Sequence, residues 1–194
     1  IITDRDPQED EYISIFNEDE QKYISLFFVL SIPGLSNNIN ITHTADILAS
    51  MMNQSGSPFM KRFSELEFVK EYTVFYASKK IKSPFVVNFK VNREFHEQGI
   101  STILKMLKDK DLFNEISDSM IKKAKRNLQN TWFNANKHPL EAAKIMGKIW
   151  ATFDLEYYLM YLDICNSVAR EDIVHFAHDY LIPAQCFIGK VSPQ

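Results

Sequence analysis

The sequence predicts an α+β fold, a mainly antiparallel sheet covered by helices, and three observations carry that expectation. Runs rich in β-branched and aromatic residues come in pairs, near residues 12–30 and 72–91. Groups of helical pattern separate and follow these pairs, without the regular βα alternation that builds a parallel sheet. A short strand-like run, Gln185 to Val191, closes the chain after Pro183. The predicted order is ββ-αα-ββ-αααα(α)-β over a single domain spanning residues 1–194.

Tyr12-Ile13-Ser14-Ile15-Phe16 and Tyr23-Ile24-Ser25-Leu26-Phe27-Phe28-Val29-Leu30 read as strands around a polar turn at Asn17 to Gln21. They suit a hairpin that ends at the breaker Pro33-Gly34. The second run is nearly continuous in apolar residues, which places it centrally in the sheet. From Thr42 the spacing turns helical, with Ala45, Leu48, Ala49 and Met52 on one face. Ser57-Pro58 starts a second helix, because proline at the first helical position has its φ preset and loses no hydrogen bond. Tyr72 to Ala77 and Phe85 to Val91 are the next strands. In the latter, Phe85, Val87, Phe89 and Val91 alternate with Val86, Asn88 and Lys90, so one face is buried. Helical patterns then cover Glu97 to Leu107, Ser117 to Asn134, Leu140 to Phe153, Tyr157 to Cys165 and Ala169 to Leu181.

Composition, at 45% hydrophobic and 24% charged residues, is that of a globular domain and excludes several functions. The five glycines lie too far apart for a phosphate-cradling loop, which needs them clustered so that backbone amides approach the ligand. Net charge is −3, and the densest basic run, Lys122, Lys123, Lys125 and Arg126, reads as a solvated helix face. Nucleic acid is not an expected partner, since it would need a broader positive field. The longest apolar stretch, Ile24 to Ile32, falls far short of the ~20 residues of a membrane-spanning helix. Cys165 and Cys186 fit no disulfide framework or zinc motif and read as buried, inert thiols. Asp109 with Asp111, and Glu18, Asp19 and Glu20, read as polar turns. The opening Ile1-Ile2-Thr3, without an initiator Met, suggests a piece of a longer polypeptide.

The last third carries the best local signature, Val168-Ala169-Arg170-Glu171-Asp172-Ile173-Val174-His175-Phe176-Ala177-His178-Asp179-Tyr180-Leu181. Ile173, Phe176, Ala177 and Tyr180 share one helical face, and Glu171 with Asp172 occupies the first turn, where the helix dipole favours negative charge. This phrase resembles one in the zinc metallopeptidases of the pitrilysin, insulinase and mitochondrial processing peptidase family. Three further stretches resemble that family in the same order. They are the strand ending in Pro33-Gly34, the helix Asp46-Ile47-Leu48-Ala49-Ser50-Met51 leading through Ser57-Pro58-Phe59, and the helix Met120 to Leu128. The resemblance covers nearly the whole chain and implies a metallopeptidase-like half-domain, specifically the C-terminal one that binds no zinc.

In that family zinc sits on an inverted H-x-x-E-H motif, two histidines one turn apart ligating the metal while the glutamate activates water. The five histidines here, His43, His96, His138, His175 and His178, form no such motif. His175 and His178 share a helical face, with Glu171 the one local candidate for a third ligand, and the expected reading is a solvent-facing pair. No catalytic residue and no metal site is therefore assigned to this chain, and zinc is expected only in the catalytic half of a parent protein.

The resemblance also implies partners: a catalytic half-domain or partner subunit, and an unfolded peptide held partly by backbone hydrogen bonds along a sheet edge. Active relatives bring a tyrosine and an arginine toward substrate from the stretch Lys61 to Val74. Tyr72 matches the tyrosine position, or is an ordinary strand aromatic. The arginine position falls near Ser64 or Glu65, so Arg62 fits only with a shifted register. The whole protein is then either a zinc endopeptidase with this as its helper domain, or a proteolytically inactive structural or peptide-binding paralogue.

Overall fold

A computed structural model describes residues 12–16, 22–35 and 39–192. The turn Asn17 to Gln21, with Glu18, Asp19 and Glu20, lies outside the described residues, as does the opening Ile1-Ile2-Thr3. The strands are β1 (Tyr12–Phe16), β2 (Tyr23–Pro33), β3 (Val69–Tyr76), β4 (Lys82–Asn92) and β5 (Cys186–Ser192). The helices are α1 (Ile39–Met52), α2 (Pro58–Ser64), α3 (His96–Leu107), α4 (Lys110–Asn114), α5 (Asp118–Asn136), α6 (Pro139–Thr152), α7 (Leu155–Ser167) and α8 (Arg170–Phe176).

The strands form one sheet in the order β1-β5-β2-β4-β3. Apolar β2 is central, as its composition predicts, and pairs antiparallel with β4 and β5. The hairpin between β1 and β2 does not form. Instead β5 enters between them, and β1 pairs with β5 in parallel, from Tyr12 opposite Ile188 to Phe16 opposite Ser192. The connection across residues 17–22 is longer than the two-residue turns that lock a hairpin. It therefore leaves the slot beside β2 open to β5, whose buried Ile188 gains strand neighbours on both sides, Tyr12 of β1 and Phe28 of β2.

Side chains alternate strictly along β2, so that Ile24, Leu26, Phe28, Leu30 and Ile32 are all buried beneath the helices. Phe85, Val87, Phe89 and Val91 of β4 join them in one core. Edge-to-face aromatic pairs lock its middle: Phe28 with Phe89 at 5.7 Å between ring centroids, and Phe63 with Phe89 at 4.9 Å. Helix α1 is buried around most of its circumference, Thr42, His43 and Thr44 included, because it packs against β3 and against α5, α7 and α8.

Helix ends follow local chemistry. Ser57 Oγ accepts the Met60 N–H at 3.0 Å with Pro58 just inside α2, as the sequence predicts. Asp172 Oδ2 accepts the Ala169 N–H at 2.7 Å, so the acidic first turn of α8 also caps it. Two expectations change. Asp109 and Asp111 lie at the start of a short helix rather than in a loop, with Asp109 Oδ1 accepting the Asp111 N–H at 3.0 Å. The helix expected through Leu181 is α-helical to Phe176 and ends in a π turn, Ala177–Leu181. The basic run on α5 is mostly exposed, but Lys125 Nζ donates to the carbonyls of Asn166 (2.8 Å) and Val168 (2.6 Å), closing the end of α7. No helix among the described residues is long and apolar enough to cross a membrane.

Candidate functional site

Tyr72 stands on β3 opposite Phe89, with its ring against Phe63 at 5.0 Å and Phe89 at 5.7 Å. Its hydroxyl donates to the Met52 carbonyl at the end of α1, at 2.6 Å, and burial pushes the phenol up to about 12. The group stays protonated at neutral pH and is committed to the backbone. Arg62, on α2, points toward α4, where Nη1 donates to Asp109 Oδ2 at 3.1 Å and Nη2 to Glu115 Oε1 at 2.5 Å. Phe63 links the α2 backbone to Tyr72, but the Tyr72 hydroxyl and the Arg62 guanidinium serve different internal partners.

The edge strand β3 pairs with β4 alone, which leaves its outward backbone groups to other partners. Asn53, just past α1, takes the central ones. Its Oδ1 accepts the Val74 N–H at 2.8 Å and its Nδ2 donates to the Val74 carbonyl at 2.6 Å, so the amide imitates a strand residue. The β3 edge is thereby closed at its midpoint. On the sheet face away from the helices, one register row runs Phe75, Val86, Val29, Phe187 across four strands. Phe75, 48% exposed, is its most open member.

His175 is exposed and His178 half-buried, its Nε2 without a hydrogen-bond partner. No group of three His, Cys, Asp or Glu side chains positioned to hold a metal occurs among the described residues. Cys165 and Cys186 are buried, and burial pushes the Cys165 thiol up to about 12.

Polar chemistry concentrates where α1, α5, α6 and α7 meet. Asp46 of α1 accepts a hydrogen bond from Tyr161 Oη at 3.1 Å. Burial raises its carboxyl to about 7, while that bond and the charge of Lys148 pull the other way. Tyr161 stacks on Trp132 at 4.5 Å and meets Tyr157 edge-on at 6.2 Å. Behind them His43 lies 5.2 Å from Tyr157 and 5.0 Å from Tyr161, with Nδ1 2.9 Å from the Ile39 carbonyl. Burial lowers its pKa, so the ring is neutral and Nδ1–H is the donor. A cavity of about 220 Å³ opens among Asp46, Tyr76, Trp132, Tyr157 and Tyr161. The sequence pattern shows only part of this cluster: Asp46 is the one acidic residue of α1, whereas nothing local pairs it with a tyrosine over a hundred residues away.

No family model matches the chain, and no curated protein matches it in sequence. Solved structures do match in fold. A protease from Helicobacter pylori superposes with a TM-score of 0.72 at 15% identity, over 96% of this chain and 45% of that one. The peptidase M16 inactive domain from Pseudomonas fluorescens does so with a TM-score of 0.64 at 14% identity, over 96% of this chain and 44% of that one. An inactive peptidase domain from Bordetella parapertussis reaches 0.75 at 11% identity, over 91% of this chain and 96% of that one. The chain has the fold of an M16 peptidase half-domain. It spans about half the length of the first two of these structures. The α+β class is what the element order predicts, an M16-like half-domain is what the resemblance of the terminal phrase implies, and the match runs nearly end to end rather than through a shared core motif.

Proposed function

We propose that this chain is a non-catalytic half-domain of an M16-like zinc peptidase, walling part of a chamber in which an unfolded peptide is held. The carrying observation is the near end-to-end fold match to an inactive peptidase domain, 91% of this chain on 96% of that one. A sequence without H-x-x-E-H supports the same reading. The apolar row Phe75-Val86-Val29-Phe187 supports assigning the sheet's outer face to the wall. Peptide capture by strand addition falls to the β1 side of the sheet, because Asn53 already occupies the middle of the β3 edge.

Zinc and the water-activating glutamate belong, on this reading, to the catalytic half of the parent protein. The test is reconstitution of that half with this chain. Chelator-sensitive cleavage of an unfolded peptide is expected from the mixture, at least tenfold above the catalytic half alone, and Phe75→Lys should reduce it. Zinc-dependent cleavage by this chain alone would falsify the proposal. One observation favours the inactive-paralogue version of the parent: Tyr72 and Arg62 are both bound internally rather than presented to a ligand. A reconstituted pair that binds the peptide without cleaving it would establish that version.

A further inference from the structure

The cavity at Asp46 is not used by the proposed peptidase role, and its lining is chemically selective. Three of its walls are aromatic faces or edges, Trp132 from α5 with Tyr157 and Tyr161 from α7, and Tyr76 from β3 adds a fourth. One carboxylate, Asp46, stands among them and accepts a hydrogen bond from Tyr161. Aromatic rings present a negative face, and a carboxylate in a low-dielectric recess gains most from a weakly hydrated cation. Neutral ligands and anions gain nothing from that combination. A volume of about 220 Å³ is small for a drug-sized ligand and suits a single ammonium head.

We infer that the recess between α1, α5, α6 and α7 is a binding site for an organic ammonium group, held by Asp46 and caged by Trp132, Tyr157 and Tyr161. The raised carboxyl of Asp46 supports this, because it is the signature of an acid buried without a full counter-charge. Lys148 of α6 lines the same recess from an exposed position and supplies part of that charge. It therefore competes with an incoming cation. The shared chemistry fits two sources, a free quaternary amine or a lysine side chain of a peptide, and it is independent of the peptidase reading.

The experiment is a titration of the 194-residue chain at pH 8, where Asp46 is ionised, followed by the fluorescence of Trp132. Trp150, the other tryptophan and 73% exposed, is replaced as Trp150→Phe so that one indole reports. The probes are choline against its neutral isostere 3,3-dimethyl-1-butanol, and blocked lysine against blocked norleucine. Saturable quenching is expected with choline, blocked lysine or both, and none with the neutral partners. Which cation responds identifies the source. Asp46→Asn, which keeps an acceptor for Tyr161, should weaken binding at least tenfold, and Lys148→Met should strengthen it severalfold. Equal response to the neutral isosteres, unchanged affinity in Asp46→Asn, or no saturable response in the chain with Lys148 intact would each overturn the inference. Binding seen only in Lys148→Met would assign the cage to Lys148 itself and overturn it too.

Discussion

Tyr72 and Asp46 show how one polar atom's partner decides what a residue can do. The Tyr72 hydroxyl is short-bonded to the Met52 carbonyl, so Tyr72→Phe should cost about 1 kcal/mol in urea unfolding. The same change should leave peptide binding untouched, and a selective loss of peptide affinity would restore the substrate-contact reading. Asp46 makes a pH prediction whose sign is set by its raised carboxyl. Unfolded, the group ionises near 3.8, and folded near 7. Its contribution to stability is thus full below about pH 3.8 and is lost as pH rises toward 7. Asp46→Asn should flatten that fall. The difference from wild type across the window is about 2 kcal/mol, held below the full linkage value because Asp46 is only half-buried as a residue.

At the scale of elements, tight backbone approach and shallow packing predict opposite behaviours. Gly34 follows β2, where its N–H donates to the Ile81 carbonyl at 2.7 Å. A Cβ there would lie 2.5 Å from the Lys79 carbonyl oxygen and 2.8 Å from the Ile81 carbonyl, both backbone and unable to swing away. Gly34→Ala should therefore destabilise by about 1–3 kcal/mol, read as a lowered urea midpoint at unchanged slope. Helix α6 is the reverse case, since none of its residues is fully buried and Leu140 and Trp150 are 67% and 73% exposed. Its amides should exchange with deuterium well before those of α1, which is enclosed by β3 and three helices. Equal protection in the two helices would show that α6 is held by contacts other than those described.

For the whole molecule, β5 is the keystone because among the described strands it is the one that joins β1 to the rest of the sheet. Strands separated by most of the sequence meet there, so their pairing carries a loop-closure cost that local helix formation does not. Deuterium exchange should place β2 and β4 among the slowest amides and β1 among the fastest of the sheet. Nearly every helix and strand was legible beforehand, because period and capping residues such as Ser57 and Asp172 act over a few positions. The strand order was not, since apolar β2 accepts either β1 or β5 and only the closed core selects. Likewise the sequence alone determined that Tyr72 lies on a strand and that no H-x-x-E-H occurs. Only tertiary structure decided that Tyr72 bonds Met52, that Asn53 closes the β3 edge, and that Asp46 meets Tyr161. Those pairings join residues far apart in the chain, and local periodicity carries no information about them.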